Sequence, residues 1–380
     1  MSVGHAGGNA LSRTAVLLLN FGEPESATQE EVVPFLERIF LTNAALEDGT
    51  DRDDARRRSR QLAEQRAPTL IEAYRAIGGS PLNRQAREQA WALEAELRRR
   101  RVAVRVDVAM QFTAPLIGTV VRELCASGIR RLVALPVYPL CGPSTTVAAL
   151  AELEREAAAM HAELQILEIS GWHRHPDYTR LRAEAIRRAG KAHGFDLGSG
   201  RTRLVFSAHG TPRQYIDAGS RYTLYVHDHC RAVAAELGVP DFTLGYQNHR
   251  NRPIAWTHPD IEVAIRDLGE SARLSRITES GGWRGTGKDA AADAVLVDAA
   301  SFVHEQSETL AELDHDLRER TEAVGLRFGR VPIVHDDPRL IAVLADTVEA
   351  RLAADGRACG LELRPCRCRA AAHCLNAEVT

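Results

Sequence analysis

Phe206-Ser-Ala-His-Gly-Thr-Pro212 puts a single histidine, His209, between the end of an apolar run and a turn enforced by Gly210 and Pro212. An imidazole at such a point titrates near neutral pH and is competent to ligate a metal. A hydrogen bond capping the strand is the plainer use of the same residue. A second segment, Phe302-Val-His-Glu-Gln-Ser-Glu-Thr-Leu310, runs on to Ala-Glu-Leu-Asp-His-Asp316. Its Glu308, Glu312 and Asp316 are spaced i, i+4, i+8, which lines three carboxylates along one face of a helix. Like charges so placed repel, and a divalent cation passing along the row would relieve them; a solvated acidic face is the alternative. The third group is sulfur. Four of the seven cysteines, Cys359, Cys366, Cys368 and Cys374, crowd the last 22 residues, and the final three have C-x-C-x5-C spacing. Seven is an odd count, and too few for a disulfide framework in a chain of 380 residues. A zinc site or unliganded thiols are the readings open to the tail. Cys125 and Cys230 fall in helical patterns and read as core.

Two further signals point elsewhere and are set aside. Gly282-Trp-Arg-Gly-Thr-Gly-Lys288 has the spacing of a phosphate loop, but Asp289 stands where a magnesium-binding hydroxyl is needed, and no apolar strand leads into it. His227 and His229 are two apart in a helical pattern, where side chains diverge.

The elements that must position these residues are legible as alternating patterns. Short apolar runs at Ala15–Leu19, Val102–Ala109, Leu132–Val137, Gln165–Ile169, Leu204–Phe206, Phe242–Gly245, Ala294–Val297 and Val331–Val334 predict strands. Stretches of helical period separate them, among them Arg84–Arg100, Thr145–Ala158, Tyr222–Leu237 and Gln306–Val324. Strands alternating with helices predict βαβ units and parallel sheets. The expected fold is α/β, with two doubly wound, Rossmann-like domains in tandem: residues 1–175, residues 176–335, and a C-terminal helix and cysteine-rich tail over 336–380 that packs back on the first. In such sheets ligands sit beyond the carboxyl ends of the strands, where Phe21, Met110, Phe112, Tyr138 and Gln247 join His209. The mixed charge run Asp51–Arg60 reads as a solvated segment.

Composition sets the outer bounds. A formal net charge of −3 gives no bulk attraction to nucleic acid or to an anionic membrane. No apolar run reaches the roughly 18 residues that span a bilayer, and Met1–Ala10 has no basic segment followed by an apolar one, so a cytoplasmic protein is expected. A short apolar loop would still suffice for a peripheral membrane contact.

The His209 and Glu308 segments together resemble the paired signatures of the ferrochelatase family, F-S-A-H-[GS]-x-P and F-x-[SH]-[DE]-x-x-E-T-L. Val16-Leu-Leu-Leu-Asn-Phe-Gly-Glu-Pro24, Tyr74-Arg-Ala-Ile-Gly-Gly-Ser-Pro-Leu82, Pro136-Val-Tyr-Pro139 with Ser144-Thr-Thr146, and Gln247 with Trp256-Thr-His-Pro259 resemble its other motifs in the same order. The resemblance implies an enzyme that inserts Fe2+ into a porphyrin, protoporphyrin or coproporphyrin, in haem biosynthesis. It implies His209 and Glu308 as catalytic and metal-handling residues and Glu312 and Asp316 on the iron path, with Gln247 on a porphyrin-binding loop; Phe21, Met110, Phe112 and Tyr138 are candidate porphyrin walls from their positions after strands alone, a plain core role being the alternative for each. Metallation strips two N–H protons from the ring, so bases must sit at its face. The resemblance extends to members with a 2Fe–2S cluster, for which Cys141, Cys366, Cys368 and Cys374 would be the four thiolates, with Cys359 as a substitute. The loop Gln247-Asn-His-Arg-Asn-Arg-Pro253 departs from the family's Q-S-x-x-G and introduces His249. That departure keeps two other readings open: a non-catalytic porphyrin or haem sensor, and a chelatase for cobalt or nickel.

Overall fold

The computed structural model describes residues 13–43, 52–161, 163–249, 254–280 and 292–379. The Met1–Ala10 segment, the phosphate-loop-like Gly282–Lys288 and the end of the altered loop, 250–253, lie outside the described residues. The chain forms two compact units. One is built on the chain up to Val137 together with Ala148–Glu168 and His304–Ala311; the other comprises Tyr138–Val147, Ile169–Val303 and the chain from Glu312.

The first unit contains β1 (Thr14–Asn20), α1 (Gln29–Asn43), α2 (Arg52–Ala76), α3 (Leu82–Arg99), β2 (Arg105–Met110), α4 (Ile117–Ala126), β3 (Arg131–Pro136), α5 (Ala148–Ala159) and β4 (Gln165–Glu168). Its sheet is parallel, in the order β2-β1-β3-β4. Every residue of β1 is buried, which is why it reads as an unbroken apolar run rather than an alternating one. From Arg52 the charge run is the start of α2, with Asp53, Asp54, Arg56, Arg57, Arg58 and Arg60 exposed as a solvated segment requires and Ala55 and Ser59 buried. Its buried stripe is made of Ala55, Ser59, Ala63, Ala67, Ile71 and Tyr74, at helical spacing. The first four are so small that they carry little hydropathy signal, yet they let α2 lie close against Val32, Phe35 and Leu36 of α1.

The second unit contains α6 (Pro176–His193), β5 (Thr202–His209), α7 (Arg213–Asp217), α8 (Tyr222–Leu237), β6 (Phe242–Gln247), α9 (Ile261–Ser280), β7 (Ala294–Ala299), α10 (Arg318–Ala323), β8 (Arg327–Arg330) and α11 (Pro338–Leu352). Its sheet repeats the same plan, parallel in the order β6-β5-β7-β8. The α/β fold with two parallel, doubly wound sheets is therefore present. The last strand lies earlier than the Val331–Val334 run suggested. Pro332 has no N–H to give to a ladder, and pairing with β7 ends with the bond from Val331 N to Val297 O at 2.8 Å. Helix starts follow their local chemistry: Pro176 and Pro338 occupy the first turns of α6 and α11, capped by His175 and Asp337, whose side chains accept from Asp177 N and Arg339 N. Beneath α6, Arg182 and Asp298 of β7 form an ion pair with 2% and 0% side-chain exposure.

After α11 the tail folds as two small antiparallel hairpins, β9 (Arg357–Ala358) with β10 (Leu361–Glu362) and β11 (Arg364–Pro365) with β12 (His373–Cys374). It docks through Ser170 N to His373 O and Leu375 N to Gly171 O, each 2.9 Å.

The order in each sheet reverses between its first and third strands, β1/β3 in one unit and β5/β7 in the other. Those carboxyl ends are the switch points at which open α/β sheets bind ligands. His209 ends β5, and Glu308 stands on the segment that follows β7.

Candidate active site and thiol centre

In the first unit the loop after β1 carries Glu23, only 4% exposed. Its carboxylate accepts from Ser307 N at 3.0 Å, from Ser307 Oγ at 2.5 Å and from Ser80 Oγ. The loop itself is clamped by Asn83, which accepts from Glu23 N at 3.1 Å and donates to Glu23 O at 2.8 Å. Burial pushes the Glu23 carboxyl up, the serine hydrogen bonds pull it part-way back, and the charge of Glu308 pushes it up again. Gly22 makes the turn possible: at φ +80° it lies where a Cβ would come within 2.4 Å of Thr113 Oγ1. Glu305 N is held by Gln85 Oε1 at 2.8 Å, so the segment leading to Glu308 is pinned on both sides.

Phe21 packs on Phe112 with ring centroids 4.5 Å apart, and Phe112 in turn on Phe35. Met110 and Phe112 are enclosed at 0% and 4% exposure, whereas Phe21 and, in the other unit, Tyr138 stay part-exposed.

In the second unit His209 is fixed through its backbone. Its N–H donates to Ser301 Oγ at 2.8 Å and its carbonyl accepts from Tyr222 OH at 3.0 Å. Its ring centroid is 5.3 Å from that of His249 and 6.4 Å from that of Phe302. Gln247 ends β6, accepts from Ser207 Oγ at 2.9 Å and donates to Glu312 Oε2 at 3.1 Å. Gly210 lets β5 and the chain after β6 approach: its N–H bonds to Gln247 O at 2.7 Å, and a Cβ there would lie 2.1 Å from Asn248 Oδ1 and 2.5 Å from Gln247 O. Gly210→Ala must push that backbone aside, so we expect a loss of about 1–3 kcal/mol, read from the urea midpoint, together with slower turnover because Gln247 moves with it.

The acidic segment Glu308–Leu317 is a π-helix rather than the expected α-helix. Its i→i+5 bonding is rare and frequently found at functional sites. Glu308 and Glu312 are part-buried and Asp316 is exposed. Asp314, on the same segment but outside that row, accepts from Arg330 Nε at 2.8 Å and from its terminal nitrogen at 2.7 Å, a bidentate pair.

The thiols form a separate centre in the second unit. The Sγ atoms of Cys141, Cys366 and Cys368 lie within 4.8 Å of one another, a group that could hold a metal ion. Cys374 hydrogen-bonds with Cys366, Cys366 Sγ accepts from Cys368 N at 3.3 Å, and Tyr225 OH is 3.3 Å from Cys368 Sγ. Cys141, Cys366 and Cys374 are buried. Hydrogen bonds from the neighbouring thiols draw Cys366 far toward thiolate, while the same bonds push Cys141 up. Cys359, the substitute ligand, is engaged elsewhere: its thiol donates to Glu349 Oε2 at 2.7 Å, and burial with that carboxylate pushes it up to about 12.

Glu23 is the site residue that sequence reasoning passed over. It stands in the loop after β1, three residues past Asn20, and the signal was available: a carboxylate just beyond an apolar run at a carboxyl end.

The ferrochelatase family model matches residues 13–278 and 286–352. A ferrochelatase of Synechococcus sp. strain RCC307 is 34% identical over 356 residues, covering 90% of this chain and 84% of that protein. One from Synechococcus sp. strain JA-3-3Ab is 35% identical over 348 residues, covering 90% and 94%. Among solved structures, SirB from Bacillus subtilis with Fe3+ overlaps 72% of this chain and 92% of its own at a TM-score of 0.46 and 12% identity. With His209 and Glu308 on the segments that carry the family's signatures, and the match running through both sheets, the chain belongs to the ferrochelatase family.

Proposed function

We propose that His209 and Glu308 are the bases and metal-handling groups of the reaction this enzyme performs, the insertion of iron into a porphyrin in haem biosynthesis. The observation that carries the assignment of Glu308 is its buried neighbour: Glu23 lies beside it with a raised carboxyl. Two carboxylates that repel one another, one of them dry, hold a proton more readily than either would in water. That is what a group receiving pyrrole protons needs. His209 supplies the imidazole, a group able to accept a proton or to ligate a metal. Gln247 orients Glu312, which we assign with Asp316 to the approach of Fe2+. Phe21 and Tyr138 are our choice for the porphyrin contacts, with Met110 and Phe112 as the backing that keeps Phe21 in place. The substrate is a dicarboxylate or tetracarboxylate porphyrin of the protoporphyrin IX or coproporphyrin III type. In a single turnover with enzyme in excess over porphyrin, in weakly buffered anaerobic solution, a pH indicator should show release of the two pyrrole protons lagging behind metallation as the bases pass them to solvent; release in step with metallation in the wild type and in Glu308→Gln alike would mean that the assigned bases take none.

Cys141, Cys366, Cys368 and Cys374 fit a four-thiolate centre, being mostly buried and hydrogen-bonded sulfur to sulfur. They would hold a 2Fe–2S cluster, which supplies one-electron redox chemistry when bound. The protein's part is to gather the thiols and to shield them with Tyr225 and the docked tail. Cys366→Ser is expected to remove the bound iron and acid-labile sulfide and the associated visible absorption; zinc at one per chain in the wild type would instead identify a zinc site. No described helix is long and apolar enough to cross a membrane. The cytoplasm is the location we assign, where cysteines gathered as Cys141, Cys366, Cys368 and Cys374 are serve as metal or cluster ligands.

A further inference from the structure

The altered loop after β6 places a second imidazole beside His209. His249 stands two residues past the end of β6, and the ligand nitrogens of His209 and His249 lie within 4.8 Å of one another. The rings are tilted at 57° rather than stacked. His249 is held on its other side by the edge of Trp256, 5.6 Å away at 77°. The backbone beneath it is fixed as well: Asn248 Nδ2 donates to Thr257 O at 2.8 Å and to Asp260 Oδ2 at 3.2 Å, and Gln247 O takes the Gly210 N–H. Both rings are half-exposed, so a hydrated ion can reach them. Two imidazoles brought this close repel when both are protonated and gain nothing from stacking, whereas a first-row divalent ion between their lone pairs is a favourable occupant.

We infer that His209 and His249 form a two-imidazole binding site for the incoming divalent metal, one that takes the ion before porphyrin is present. The inference rests on the reading of His209 as a metal-handling residue and deepens it, giving the site a second protein ligand. Gln247, two residues before His249, donates to Glu312 Oε2 at 3.1 Å. Imidazole ligands favour later first-row metals over Fe2+, and the site should therefore be open to competition by Zn2+ and Co2+.

The test uses the as-isolated protein without porphyrin and Co2+ as the probe, read by its visible d–d bands. His249→Ala should weaken Co2+ binding at this site by about tenfold or more, the range known for changes around metal ligands. His249→Asp, which supplies an oxygen ligand in place of the imidazole, should recover part of it. In turnover, His249→Ala should raise KM for Fe2+ more than it lowers kcat, leaving KM for porphyrin in place. Unchanged Co2+ affinity in both His249 variants, or an unchanged KM for Fe2+, would overturn the two-imidazole site. Failure of the underlying assignment reads differently: His209→Ala would keep normal insertion, whatever His249 does to Co2+ binding.

Discussion

Glu308→Gln and His209→Ala are each expected to lower the rate of iron insertion by about 10²- to 10⁴-fold, the span that positioned proton-transfer groups contribute, while the protein stays folded. The chemistry sets the size. Iron cannot enter the ring until two pyrrole protons have somewhere to go, and an amide at position 308 can take none. It would also relieve Glu23 of a like charge, letting that carboxyl fall back toward its ordinary value. The fold should tolerate both changes because neither side chain fills the core: Glu308 and His209 are part-exposed, and His209 is located by its backbone bonds to Ser301 and Tyr222. Steady-state metallation followed by absorbance, with circular dichroism as the folding control, measures this. Normal turnover in both variants would remove them from the chemistry.

The largest stability effect should come from Arg182. Removing it by Arg182→Leu leaves Asp298 at 0% exposure without its cation, and stranding one member of a buried pair costs about 3–5 kcal/mol. The loss should depend on pH. In the native chain burial already raises the Asp298 carboxyl, with the charges of Arg182 and, less strongly, Arg330 pulling it down; the variant loses the larger of the two lowering influences, so the carboxyl rises further. A carboxyl raised in the folded state contributes most below its unfolded value of about 3.9, and that contribution is lost as pH rises through the folded value. The variant should therefore lose stability as pH rises from acid toward neutral, which urea midpoints at several pH values would show. Replacing both partners with apolar residues should restore most of the loss.

The sheets were legible because parallel strands buried on both faces leave continuous apolar runs, as β1 and β7 do. What escaped reading had physical causes. The buried stripe of α2 begins with alanines and a serine amid arginines, so hydropathy reports only the wet face. The π-helical winding of Glu308–Leu317 leaves the same spacing of acids as an α-helix would, and pattern alone does not separate them. Val331–Val334 looks more like a strand than Arg327–Arg330, but Pro332 ends the ladder. Of the residues that chemistry and motif singled out, Gln247 and Glu312 are hydrogen-bonded to one another and His209 ends β5. Glu23 went unnoticed because its role depends on Ser80 and Ser307, residues about 60 and 280 positions away, and no local pattern carries that.

The most direct test of the central claim is an anaerobic absorbance assay on freshly purified protein, adding Fe2+ with protoporphyrin and with coproporphyrin in parallel. We predict that the Q-bands of one of the two porphyrins convert to a haem spectrum at a catalytic rate. Tight binding of both porphyrins with no conversion of either would contradict the account.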